Sequence, residues 1–101
     1  MDGYKLLITY NYPAYRELEY RRFMIQHWMP GMQNLGFEPS DVMHTQWGAY
    51  PLRLIVLHAP DLEMIGEAMA SNEWERWHKQ LRSFVTDLRY RVVRARPWFQ
   101  F

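Results

Sequence analysis

The chain has 101 residues, 49% of them hydrophobic and 23% charged, a balance that fits one globular domain over 1–101 and excludes a disordered linker. With 12 Lys plus Arg against 11 Asp plus Glu, the formal charge of +1 leaves no excess positive charge to hold nucleic acid or an anionic membrane. Cysteine is absent, which excludes disulfides, thiolate zinc sites, iron–sulfur clusters and a cysteine nucleophile.

The first element in chain order is a strand over Tyr4 to Tyr12, with Leu6, Ile8, Tyr10 and Tyr12 on one face and Lys5, Leu7, Thr9 and Asn11 on the other. Its apolar run Leu6, Leu7 and Ile8 is far shorter than a signal-peptide core or the ~20 residues of a membrane span, so a cytoplasmic location is expected. Pro13 opens a helix from Ala14 to about Leu35. A count of 100° per residue groups Ala14, Leu18, Ile25, Trp28, Met29 and Met32 as its core stripe, with Arg21 as a charged intruder. Tyr20, Phe23, Met24 and His27 form a second, aromatic face. Pro30 is expected to kink this helix near Met29, and Gly36 to stop it.

Glu38, Pro39, Ser40 and Asp41 read as a turn. Two strands follow, Val42 to Trp47 and Leu52 to Ala59, linked by Gly48, Ala49, Tyr50 and Pro51 as a hairpin. The second is apolar on both faces, Leu52, Leu54 and Val56 against Ile55 and Leu57, and so reads as buried on both sides. Asp61 caps a helix carrying Leu62, Ile65 and Met69. After an interruption at Ser71, with Asn72 and Glu75 as a capping pair, a strongly amphipathic segment puts Trp74, Trp77, His78, Leu81, Phe84, Val85 and Leu88 on one stripe. Leu88, Tyr90 and Val92 then alternate with arginines in a last strand, and the pair Val92 and Val93 suggests a bulge.

The order βαββαβ gives an α+β, ferredoxin-like fold: a four-stranded antiparallel sheet with two helices on one face. The other face needs a cover that one chain does not contain, and a second copy is the simplest supplier. The aromatic content of 17%, with seven Met besides, points the same way, to a pocket or a subunit interface.

With that order, the sequence resembles the dimeric α+β barrel superfamily, in which two ferredoxin-like sheets pack face to face. Phe23, His27 and Pro30 followed by Gly36 and Phe37 resemble the first-helix pattern of its NIPSNAP-like and EthD-like branches. The run from Ser71 through Glu73 and Trp74 to His78 is similar to the second-helix region of many members, antibiotic-biosynthesis-monooxygenase-like proteins among them. The resemblance implies a homodimer binding a small apolar or aromatic molecule. The chemistry it implies is cofactor-independent monooxygenase-like or isomerase-like, with a non-catalytic interaction or structural dimer of NIPSNAP-like type as the alternative. In the haem-degrading branch a second-helix histidine works with a strand-1 asparagine and a tryptophan; His78 and Asn11 match, but Ala68 stands in the tryptophan's place, so no cofactor is expected and haem is disfavoured.

Imidazole is the chain's best proton carrier near neutral pH, and His27 and His78 are the candidate catalytic residues. Asn11, His44, Trp47, Arg53, His58 and Trp77 are candidate ligand contacts. Arg53, like Arg21, draws attention because it interrupts an apolar surface, where a charge is commonly paired or functional. His44 and His58 could converge, but no carboxylate accompanies them at a ligand spacing, so no metal site is expected. Arg89, Arg91, Arg94 and Arg96 read as a charged strand edge that discourages aggregation. A nucleic-acid partner is not expected, because the strand from Leu52 to Leu57 lacks the aromatic residues on which bases stack.

Overall fold

The computed structural model describes residues 3–12, 14–47 and 50–95, with side chains described at all of these except 14, 41–47 and 50–52. Strand β1 (Tyr4–Asn11) leads through a 3₁₀ turn (Ala14–Arg16) into α1 (Glu17–Phe23), a π-helical segment (Met24–Trp28) and α2 (Met29–Asn34). Strands β2 (Glu38–Trp47) and β3 (Tyr50–Ala59), helices α3 (Leu62–Met69) and α4 (Asn72–Arg82) and strand β4 (Thr86–Arg94) complete the chain. The strands form one antiparallel sheet in the order β2-β3-β1-β4, the split βαβ arrangement that the element order predicts.

One face of that sheet carries the core. Leu6, Ile8 and Tyr10 of β1 stand opposite Leu57, Ile55 and Arg53 of β3, and the apolar members are buried with Tyr20, Phe23, Trp28 and Met32 of the first helical run and Ile65, Trp74 and Leu81 of the second. The intervening residues Leu7, Thr9, Leu54 and Val56 belong to the open face. Val56 is buried without belonging to the helix-side core, which fits the expectation that β3 is apolar on both sides.

The first helix departs from its expected phase. Leu18 and Ile25 are 65% and 72% exposed, whereas Tyr20, Phe23 and Met24 of the second face are buried. The cause is the π-helical segment: Met29 N–H donates to the Met24 carbonyl five residues back, and such a wide turn advances each side chain by less than 100°. The turn brings Trp28 and Met32 into line with Tyr20 and Met24 and leaves His27 exposed on the flank. Pro30, which cannot donate to the carbonyl four residues back, stands two residues past the end of this segment, so the predicted distortion takes the form of a widened turn. Arg21 is no intruder on a core face but an exposed residue whose guanidinium donates to Glu17 at 2.8 Å.

Three boundaries move. The residues read as a turn, Glu38 to Asp41, open β2, with Ser40 bulged between the pairs Pro39–Leu57 and Asp41–Val56. Pairing of β2 with β3 continues to Trp47 and Tyr50, closer to the tip than expected; Gly48 and Ala49 lie outside the described residues, as does Arg96. The bulge in β4 falls not at Val92 and Val93 but at Asp87 and Leu88, which together oppose Tyr10. There Asp87 takes φ +55°, a left-handed conformation aspartate tolerates better than most residues.

The helix caps show why α3 and α4 separate. Asp61 Oδ1 accepts the Met64 N–H at 2.8 Å, and Ser71 Oγ, one residue before the capping pair read from sequence, accepts the Trp74 N–H at 3.1 Å. From this start α4 turns Trp74 and Leu81 onto the sheet. Trp77, on the same stripe by sequence, turns instead to the first helical run: its ring lies 6.4 Å from Phe23 and against Gly31.

Candidate functional site

The register of β1 against β3 sets Tyr10 beside Arg53, and α1 lowers Tyr20 onto both. The Tyr10 and Tyr20 hydroxyls are hydrogen-bonded, and the Tyr12 ring stacks on Tyr20 with centroids 4.8 Å apart and planes 9° from parallel. Burial, reinforced by the neighbouring Tyr20, raises the Tyr10 hydroxyl far above the ordinary phenol range. Burial also pushes Tyr20 up to about 12, against the opposing pull of the Tyr10 hydrogen bond and the Arg53 charge. Tyr10 and Tyr20 therefore stay neutral, and the Arg53 guanidinium lies over the ring faces of Tyr12 and Tyr20. The guanidinium carbon lies 5.2 Å from the Tyr12 centroid and 5.5 Å from that of Tyr20.

Arg53 also closes a cavity of about 260 Å³ beneath the π-helical segment, whose other described walls are Met24, Ile25, Met29 and Ile55. The exposed Ile25 marks the rim. One wide turn, closed by the Met24–Met29 hydrogen bond, thus supplies three of the five walls. Such turns are frequent at functional sites, since they re-aim side chains that a regular helix would direct elsewhere. Among its described walls Arg53 is the one charged residue of an otherwise apolar slot.

A second cluster lies at the far end of α4. His78 Nδ1 is 2.6 Å from the Tyr90 hydroxyl, the tautomer deciding which group donates. Desolvation, aided by Arg82 and opposed by Glu75, lowers the His78 pKa, and burial raises that of Tyr90, so the pair is neutral at neutral pH. His78 and Arg82 line two adjoining open clefts, one completed by Val85, Thr86, Asp87 and Leu88, the other by Glu75, Lys79 and Ser83. Asn11 donates to Asp87 Oδ2 at 3.0 Å and so braces the bulge at the edge of the first cleft.

The predicted site residues therefore divide. Arg53 is in the apolar cavity; Asn11 and His78 meet at the α4 cleft through Asp87; Trp77 is packed between helices, its buried indole N–H without a hydrogen-bond partner among the described residues. His27 stands exposed, its ring 6.4 Å from Phe23. His58 is half-buried beside Gly3. The side chains of His44 and Trp47 lie outside the described residues. The backbone register sets His44 opposite Arg53 on the helix-covered face, while His58 shares the alternation of Leu54 and Val56, so the two positions do not share a face. Among the described residues no group of three or more His, Cys, Asp or Glu could hold a metal ion. Tyr12, Tyr20, Tyr90 and Asp87 were not singled out by sequence; their partners lie 8 to 76 residues away, and only the spacing of Tyr10 and Tyr12 on one strand face hinted at them.

The fold is the ferredoxin-like one of several solved structures. An uncharacterized NIPSNAP domain protein from Burkholderia xenovorans superposes with a TM-score of 0.70 at 8% identity, over 97% of this chain and 99% of that one. A candidate antibiotic biosynthesis monooxygenase from Deinococcus radiodurans gives 0.67 at 17% identity, over 97% of both chains. A protein of the EthD family from Bacillus halodurans gives 0.60 at 18% identity, over 92% of this chain and 97% of that one. No protein-family model matches the sequence, and no curated protein does. The branches that the first- and second-helix motifs resemble are thus those whose folds this chain shares. Among the described residues no helix is long and apolar enough to cross a membrane.

Proposed function

We propose that this chain forms a homodimer through its open sheet face and binds a small, largely apolar or aromatic molecule in the cavity beneath the π-helical segment. One observation carries the reading: Met24, Ile25, Met29 and Ile55 wall an open space next to a densely packed aromatic core. Binding pockets are characteristically apolar with few polar groups, and Arg53 is such a group here. Within this reading, chemistry of the cofactor-independent monooxygenase-like or isomerase-like kind is assigned to the separate α4 cleft, where His78 is the available base, and not to a molecule held in the apolar cavity. The His78 ring is neutral, held by Tyr90 and open to a cleft, as a general base requires. The reading includes no resident cofactor: Ala68 is buried in the core, and no histidine is among the described walls of the apolar cavity.

A second reading, a non-catalytic structural dimer, is favoured by the way Phe23, Trp77 and Phe84 pack against one another rather than around a ligand. Methionine-methyl NMR separates the two. Titration with indole, a neutral aromatic, is expected to shift the Met24 and Met29 methyl signals saturably while Met64 and Met69 on α3 stay put. Linear or uniform shifts across all the methionines favour the structural dimer.

A further inference from the structure

Two residues are common to both clefts at the end of α4: His78 and Arg82, one helical turn apart on the same face. The His78 ring is fixed by the contact of 2.6 Å between its Nδ1 and the Tyr90 hydroxyl on β4, so Nε2 is the nitrogen left for the clefts. The Arg82 charge acts on both members of that pair, opposing a proton on His78 and favouring negative charge on the Tyr90 oxygen. Of the other charged groups around the ring, Glu75 and Lys79 lie on the same stretch of α4, and Asp87 on β4 accepts from Asn11 at 3.0 Å. The clefts, of about 490 and 510 Å³, add hydroxyls from Thr86 and Ser83 and aliphatic surface from Val85 and Leu88. An anion arriving beside Arg82 offsets the charge that opposes a proton on His78, so the ring becomes easier to protonate once the anion is bound.

We infer that the α4 clefts take a small organic acid, held as its anion by the Arg82 guanidinium, with the acid's proton on His78 Nε2. In that transfer the acid's O–H bond breaks, its electron pair stays on the oxygen that meets Arg82, and the proton forms the N–H bond at Nε2. A guanidinium suits such an oxyanion because its N–H groups are set in a rigid fork. This rests on the reading that His78 is the base of the cleft, and it adds the class of molecule on which the base acts and the residue that selects it. Anion and proton then bind with positive coupling: the anion raises the proton affinity of His78, and a protonated His78 raises the affinity for the anion by the same factor.

The test compares benzenesulfonate, which stays anionic throughout, with benzenesulfonamide, its neutral counterpart, on the full chain, by NMR of the His78 ring signals between about pH 5 and 8. His78→Gln identifies those signals by their loss. Benzenesulfonate is expected to raise the His78 titration midpoint by about one pH unit, which corresponds to about tenfold tighter binding to the imidazolium form, and benzenesulfonamide to leave it in place. Arg82→Gln is expected to raise the midpoint of the unliganded protein, since the opposing charge is gone, and to abolish the response to benzenesulfonate. Diethyl pyrocarbonate, which acylates neutral imidazole, reports separately whether the ring is open to the cleft. A His78 that the reagent labels, but whose midpoint benzenesulfonate does not move, or moves equally in Arg82→Gln, overturns the organic-acid inference and leaves His78 as the available base. A His78 that resists the reagent throughout this range overturns both.

Discussion

His78 shows how a single contact couples pH to stability. Its pKa is lowered in the folded protein, chiefly by desolvation, so below the ordinary histidine value of ~6.5 the unfolded chain binds a proton that the folded chain resists. Where the unfolded state binds more protons, stability rises with pH. The contribution is therefore complete above ~6.5 and is lost as pH falls from there towards the lowered folded value. Thermal unfolding followed between about pH 7.5 and 5 should show the melting temperature falling on acidification, and His78→Gln should flatten that slope. An equal slope in the variant would assign the effect to other groups. Tyr90→Phe removes the hydroxyl that faces Nδ1 and should cost about 1 kcal/mol, as expected for one part-buried hydrogen bond. At this scale the sequence was legible where a residue violated its surroundings: Arg53 interrupts the apolar run of β3 and lies at the candidate cavity. It was illegible where meaning depends on a distant partner. Tyr20 means nothing until α1 lays it on Tyr10 and Tyr12, and Asp87 means little until a bulge gives it a left-handed backbone beside Asn11.

The elements were legible in order and type, because period and caps are local. Asp61 and the break at Ser71 are read from neighbours in sequence, and both are found in the structure. The phase of the first helix was not legible, because a count of 100° per residue presumes a regular helix and the segment from Met24 to Trp28 is π-helical. The one signal was Pro30, which announces an irregularity without saying that it widens the turn. Packing of the two helical layers leads to a paired prediction. A Cβ at Gly31 would lie about 2.5 Å from Cε2 of Trp77, whose ring is confined by Phe23 and cannot swing aside cheaply. Gly31→Ala gains up to ~1 kcal/mol of helix propensity but should lose about 1 to 3 kcal/mol to overpacking. Gly66 in α3 has nothing within 4 Å of such a Cβ, so Gly66→Ala collects the propensity alone and should stabilise by up to ~1 kcal/mol. Chemical denaturation of the two variants should move their midpoints in opposite directions. A neutral Gly31→Ala would mean that the indole does not pack against α2.

At the scale of the molecule, the alternation of β3 decides which residues are left for a partner. Ile55 and Leu57 face the helices, so the residues needing cover are Leu54 and Val56, with Leu7 and Thr9 beside them on β1. Leu54, Leu7 and Thr9 line an open concavity with Arg89 and Arg91 of β4, which gives the face an apolar centre and a charged border. That distribution is common at protein interfaces, where the buried centre is depleted of charge and the rim is polar. Fully burying each large aliphatic side chain is worth roughly 1.5 to 3 kcal/mol, and Leu7, Leu54 and the already sheltered Val56 lie on both copies, which is enough to offset an association cost of roughly 4 kcal/mol at its lower estimate. The wild-type chain should therefore sediment as a dimer at micromolar concentration. Leu54→Asp, which sets two like charges near the centre of the joined sheets, should sediment as a monomer with unchanged helical circular dichroism, because Leu54 takes no part in the helix-side core. Val92→Asp, a charge placed on the opposite face at the β4 edge, should leave the dimer intact. A wild-type monomer, or a dimer lost in Val92→Asp and kept in Leu54→Asp, would show that the chains meet elsewhere or not at all, and the open face would need another cover.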